Sequence, residues 1–277
     1  MQRKITLPSH AKVNLSLKIT ARREDGFHDI DSIFQAINLL DEITIEVTDA
    51  NSIEITASNP ELPTDSSNLC WKAAEVFKKA FNIENGVKIH IEKRIPVSAG
   101  LGGGSGNAAA TLLGLANLFE IEKDSLFSLA IELGSDVPFF LTGFSLARGQ
   151  GRGEILSELP ATETLKFLLI NPGIPISAGW AYKALHLEKG YKENVQRDIL
   201  FENELERPAF KEYPLLEMLK QEFREHGADQ SLMSGSGSTV FGVYSSEEVR
   251  ETAKKYFKAK YPDFLVVKAE TYFSGQN

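Results

Sequence analysis

Val13, Leu15, Leu17 and Ile19 fall on alternate positions, the two-residue period of a half-buried strand. With Ile5 to Leu7 ahead of a break at Pro8-Ser9-His10, the pattern predicts a hairpin across residues 3–20. Ser32 to Leu40, Glu42 to Val47 and Ile53 to Thr56 read as further strands, with turns at Asp25-Gly26, Asp41 and Asp49-Ala50-Asn51. Asp65-Ser66-Ser67-Asn68 then supplies cap residues for a helix to about Phe81, in which Leu69, Ala73, Val76, Phe77 and Ala80 share a face. Val87, Ile89 and Ile91 alternate with Lys88, His90 and Glu92, again a strand, and Ala108 to Ala116 is an apolar, helix-forming run. A helix over Lys123 to Leu133 stops at Gly134, and Phe139-Phe140-Leu141 reads as an apolar strand.

The second half predicts a strand at 166–171, a helix at 177–187, a polar, mostly helical region at 194–224, a strand at 239–244, a helix at 246–258 and a strand at 264–272. Arg148-Gly149-Gln150-Gly151-Arg152-Gly153 reads as a flexible joint, which places a boundary between domains 1–153 and 154–277. Strands grouped with helices in each half give an α+β class with two layers.

Composition narrows the picture. With 277 residues, 42% of them hydrophobic, the chain can bury one large core or two modest ones. A formal net charge of −8 argues against nucleic acid and against an anionic membrane as partners. The single cysteine, Cys70, excludes an internal disulfide and reads as a packed thiol. The absence of a membrane-length apolar run or a signal-peptide core leaves the cytoplasm as the expected compartment.

Candidate chemistry centres on Pro96-Val97-Ser98-Ala99-Gly100-Leu101-Gly102-Gly103-Gly104-Ser105-Gly106-Asn107. A strand leading through a glycine-rich turn into a helix presents backbone N–H groups and a positive dipole end, which suits phosphate. No Lys-Ser or Lys-Thr follows, so this is not a Walker A loop. Nor is it the dinucleotide fingerprint, because Ser105 stands at the third glycine position. Five glycines in residues 100–106 exceed what a tight turn needs and favour close approach of a ligand. Local pattern alone makes Asp136 a turn residue, Lys12 a solvated lysine at a strand edge and His28 a loop histidine. Ser234-Gly235-Ser236-Gly237-Ser238 is a second glycine-serine turn able to close over the same ligand.

Together these pieces resemble the GHMP kinases, the galacto-, homoserine, mevalonate and phosphomevalonate kinases. Ala11-Lys12-Val13-Asn14-Leu15 is similar to the family's first motif, the stretch from Pro96 to its phosphate loop, and Ser234-Gly235-Ser236-Gly237 to its third. Arg23-Glu24-Asp25-Gly26-Phe27-His28 and Gly134-Ser135-Asp136-Val137-Pro138-Phe139-Phe140 narrow the likeness to one branch of the family, in the non-mevalonate isoprenoid route. The resemblance implies a ribosomal-protein-S5-like N-terminal domain, a ferredoxin-like C-terminal domain and an active site in the cleft between them. It implies transfer of the γ-phosphoryl of ATP, with Mg2+, to the 2-hydroxyl of 4-diphosphocytidyl-2-C-methyl-D-erythritol by a monomer or homodimer.

By the same resemblance Asp136 matches the catalytic aspartate and Lys12 the lysine that keeps it ionised and offsets charge on the phosphoryl group. Residues 96–106, namely Pro96, Val97, Ser98, Ala99, Gly100, Leu101, Gly102, Gly103, Gly104, Ser105 and Gly106, wrap the ATP phosphates, and Asn68 lies on the adenosine side. Asn14 and His28 match positions that hold the cytidine base, with Phe27, Phe34 and Tyr182 as aromatic walls. Phe27 departs from the tyrosine often found there, and the stretch around Tyr182 matches loosely. Ser105 is the one candidate contact for the metal, and no acidic ligand is marked. Another small-molecule GHMP kinase and a non-catalytic nucleotide-binding regulator are the alternatives.

Overall fold

The computed structural model describes residues 3–188, 190–192 and 201–273. Packing divides the chain into two compact units, one of residues 1–11, 39–97 and 102–143, the other of residues 12–38, 98–101 and 144–277. The first two strands contribute residues to both units.

Those strands are β1 (Lys4–Arg22) and β2 (His28–Thr48), which pair with each other. Each replaces two expected segments. Pro8 does not break β1, which lies off the main path of the sheet and pairs with β2, a place where a missing N–H is tolerated. Asp41 is no turn residue but a fully buried position inside β2.

In the first unit, residues 42–48 of β2 pair antiparallel with β4 (Gly86–Glu92), and β3 (Ile53–Ala57) pairs parallel with β4. Between β3 and β4 lies α1 (Leu69–Phe81), capped by the Asn68 side chain, which accepts from Cys70 N at 2.8 Å. Then follow α2 (Gly103–Phe119), a 3-10 turn at Lys123–Leu126, α3 (Phe127–Leu133) and α4 (Val137–Thr142). α2 begins inside the glycine-rich stretch, five residues before the apolar run that predicted it. Its apolar side joins Ile43, Ile45, Val47, Phe77, Val87, Ile89 and Val137 in one buried cluster. Gly114 lets it lie close on the sheet, since a Cβ there would stand 2.6 Å from Ile45 Cδ1.

α4 corrects the strand expected at Phe139 to Leu141. Short apolar runs do not distinguish strand from helix by period, and Pro138 in the first turn with Gly143 at φ 78° closing the last favours the helix. Cys70 is buried, and burial pushes its thiol up to about 12, so it is an inert packed group.

In the second unit, residues 30–35 of β2 pair with β5 (Leu146–Gly151), which pairs with β6 (Ile155–Glu158). The joint expected at 148–153 is therefore mostly strand. Its glycines serve packing: a Cβ on Gly149 would stand 2.2 Å from the Phe34 ring. A four-stranded antiparallel sheet follows, from β7 (Lys166–Asn171), β8 (Gln230–Met233), β9 (Val240–Tyr244) and β10 (Leu265–Glu270), in the order β10-β7-β9-β8. Its helices are α5 (Ala178–Lys183), α6 (Glu206–Glu212), α7 (Pro214–Glu225) and α8 (Glu247–Lys260). α5 is shorter than the helix expected at 177–187, β6 and β8 carry no clear sequence signal, and residues 193–200 of the expected polar helical region lie outside the described residues. No helix among the described residues is long and apolar enough to cross a membrane.

Candidate active site

The glycine-rich stretch leaves β4 and ends as the first turn of α2. Ser98, Gly100 and Gly102 take φ of 53°, 75° and 69°, left-handed turns that turn the chain sharply. Gly102 caps α2 without a side chain, so the first-turn N–H groups are not covered by a capping hydroxyl or carboxylate. Gly104 is exposed and Ser105 half-buried. Gly106 seats the turn on β1, where an added Cβ would lie 2.9 Å from both His10 O and Ser9 Oγ. A helix N-terminus whose first-turn N–H groups lack a side-chain cap is suited to an anion.

Within the second unit, segments far apart in sequence converge on residues 98–101. Lys12 N donates to Leu101 O at 3.0 Å, and Thr239 N to Ala99 O at 3.3 Å. Ser234 Oγ donates to Gly100 O at 2.9 Å and accepts from Asn14 N at 3.3 Å. The second glycine-serine turn thus closes directly on the first, through backbone and one hydroxyl.

Lys12 is not a solvated edge lysine. It is 4% exposed, its ammonium donating to Asn14 Oδ1 at 2.5 Å and standing 5.4 Å from the centre of the Phe34 ring. Asn14, also buried, donates to Ser32 Oγ at 2.8 Å. Phe34 presents no open face: it is 1% exposed, beneath Lys12 and against Gly149, so it is enclosed packing and not an aromatic wall.

His28 lies at the start of β2, half-buried, and stacks on Tyr182 at 5.3 Å between ring centres. Phe27 is 52% exposed, with the Arg152 guanidinium 5.0 Å from its ring centre. Burial, and secondarily the Arg22 charge, push the His28 imidazole below its ordinary 6.5. Neutral His28 therefore supports the fold above pH 6.5, and that contribution is lost as pH falls through the lowered folded value. An NMR titration should give His28 a midpoint below 6.5, and Arg22→Gln should move it upward. A midpoint above 6.5 would contradict this geometry.

In the first unit Asp136 is half-buried and occupies the N-cap position of α4, but its side chain does not cap that helix. Asn68 has its amide engaged at both ends, accepting from Cys70 N and donating to Pro63 O at 2.7 Å. Sequence reasoning missed Lys93 and Asp41, a buried ion pair next to the glycine-rich turn. Burial lowers the Lys93 ammonium's pKa, and the Asp41 charge opposes that.

A glycine-rich turn that opens a helix, and a second glycine-serine turn bonded to residues 98–101, are features found in phosphate-handling α+β proteins. The GHMP kinases N terminal domain matches residues 68–144, and the GHMP kinases C terminal domain matches residues 187–263. A 4-diphosphocytidyl-2-C-methyl-D-erythritol kinase of Geobacter metallireducens is 38% identical over 88% of this chain and 90% of its own. One from Chlorobium phaeobacteroides is 36% identical over 98% and 99%. A crystal structure of 4-(cytidine 5'-diphospho)-2C-methyl-D-erythritol kinase superposes with a TM-score of 0.80 at 33% identity, covering 97% of this chain and all of that one. The chain belongs to the GHMP kinase family and is a phosphotransferase.

Proposed function

We propose that this protein transfers the γ-phosphoryl of ATP to the 2-hydroxyl of 4-diphosphocytidyl-2-C-methyl-D-erythritol, giving the 2-phosphate and ADP. The observation that carries the reading is the 36–38% identity, over most of the chain, to kinases named for that acceptor. The motif from Arg23 to His28 accords with it, since an exposed phenyl ring and a neutral imidazole beside Tyr182 offer a cytosine a π-face and a ring nitrogen.

Phosphoryl transfer asks for positioning and charge stabilisation more than for covalent chemistry. Residues 96–106 hold the nucleotide phosphates on the α2 N-terminus. Asn68 fixes the first turn of α1 on the adenosine side. Asp136 orients the acceptor hydroxyl and takes its proton, and Lys12 offsets the charge developing on the phosphoryl group. Asn14 holds the Lys12 ammonium in place and orders the acceptor side with His28, Phe27 and Tyr182.

A magnesium ion fits this reading. Among the described residues no three His, Cys, Asp or Glu side chains gather as a metal cage. Magnesium commonly needs none, because nucleotide phosphates and waters supply most of its ligands. The Ser105 hydroxyl, in the first turn of α2, would complete its shell, and the ion would neutralise phosphate charge. A cytoplasmic enzyme, monomeric or homodimeric, goes with this function.

The test is direct. Purified protein with Mg-ATP should release ADP with the diphosphocytidyl acceptor and not with homoserine or mevalonate. ADP release with either of those two, and none with the diphosphocytidyl compound, would overturn the acceptor assignment.

A further inference from the structure

Asp41 lies in the middle of β2 with none of its side chain exposed, and its ion-pair partner Lys93 is 4% exposed. A buried pair of this kind is costly unless the remaining lone pairs are used. Here they are. Asp41 Oδ1 accepts from Arg94 N at 2.7 Å and from Ile95 N at 2.8 Å. Its Oδ2 accepts from the Lys93 ammonium and from Asn107 Nδ2 at 3.1 Å.

The identity of those partners gives the pair its meaning. Arg94 and Ile95 are the last residues before Pro96, where the glycine-rich stretch begins. Asn107 is in the opening turns of α2, immediately after Gly106, where that stretch ends. One carboxylate therefore ties down both ends of the same loop. The Lys93 ammonium sits directly under the helix start, because a Cβ on Gly103 would be 2.9 Å from its Nζ. A positive charge held there adds to the field of the α2 N-terminus, and Asp41 keeps it in position when no anion is present.

We propose that Asp41, acting through Lys93, Asn107 and the backbone of residues 94–95, is the positioning residue of the nucleotide-phosphate loop and sets affinity for ATP. This rests on the reading of residues 96–106 as the ATP site. Asp41 itself touches no substrate. Its effect falls on the nucleotide and not on the acceptor, which separates it from a merely structural buried pair.

The experiment uses the full chain with Asp41→Asn and with the pair Asp41→Asn, Lys93→Met. In Asp41→Asn the amide meets Lys93 and Asn107 donor to donor, so the link to α2 fails while the strand side can persist. In the double variant the buried charges leave together, which restores folding. Both variants should raise KM for ATP about ten-fold or more, the size expected when reacting groups are held out of register. KM for the acceptor should stay within about two-fold.

An unaltered KM for ATP in a folded variant would overturn the proposal, as would equal losses for both substrates. Should neither variant fold, amide exchange on the unaltered protein decides. Slow exchange at Arg94 and Ile95 supports the clamp and fast exchange refutes it. A Ser105→Ala, Gly104→Val variant serves as the reference for the loop. If it binds ATP as well as the parent, the reading of the loop fails. If it loses ATP and the Asp41 variants do not, only the present inference fails.

Discussion

Asp136→Ala should lower kcat by about 10²- to 10⁴-fold, the range a positioned general base supplies, and leave KM for ATP nearly unchanged. The structural reason is the division of labour around that residue. The turn into α4 is made by backbone, with Val137 N donating to Gly134 O at 3.2 Å. Pro138 presets the first helical turn. The carboxylate is not spent on capping, so its removal takes away a charge and an acceptor without taking away the helix. Asp136→Asn keeps the shape and removes the charge, and should fall nearly as far. A folded Asp136→Ala protein with kcat within about three-fold of the parent would sink the assignment. A parallel collapse of stability and activity would make Asp136 a structural residue instead.

Gly100→Ala carries the largest expected effect on stability. Gly100 has φ 75°, and a Cβ there would lie 2.0 Å from Ser234 O and 3.0 Å from both Gly237 N and Gly237 O. All three are backbone atoms, so no rotamer change relieves the contact. The glycine-serine turn would have to part from the loop, releasing the hydrogen bond from Ser234 Oγ to Gly100 O. Left-handed strain and overpacking each cost about 1–3 kcal/mol, so a loss of about 3 kcal/mol or more is expected in urea unfolding.

Gly104 is the control, four residues along. It is helical, and its added Cβ would meet only Leu69 Cδ1, at 3.5 Å. Gly104→Ala should leave stability unchanged or raise it by up to about 1 kcal/mol, as helix propensity dictates. Equal destabilisation by the two substitutions would show that the loop does not pack as described.

The contrast between these glycines shows how far the sequence could be read. Its density of glycines predicts a phosphate loop, but nothing local says which glycine faces a ligand and which faces another backbone. Gly100 and its partner Ser234 are 134 residues apart, and only the fold reveals their contact. Likewise β4, α1, β9 and α8 announce themselves by a clear period or a cap, as with Asn68 ahead of Leu69 and Ser246 ahead of Glu247.

Where signals were short, the local reading failed. Phe139 to Leu141 is too brief to show a period, and packing made it a helix. The glycines of 148–153 suggested a joint, but the Phe34 ring over Gly149 required a small residue within a strand. Asp41 looked like a turn because aspartate in isolation favours turns. In the structure four donors surround its carboxylate, and those donors come from residues 93–95 and 107.

By itself the sequence determined the order of the motifs, the strongly periodic elements and the class of chemistry. These depend on residue type and spacing within a few positions. Only the tertiary structure decided that Lys12 is buried against Asn14 and Phe34, that Ser234 closes on Gly100, and that Asp41 bonds residues on both sides of the glycine-rich loop. Each of those is a contact between distant segments, whose free energy comes from shielding charges and hydrogen bonds from water, and no local pattern records which partner will be there.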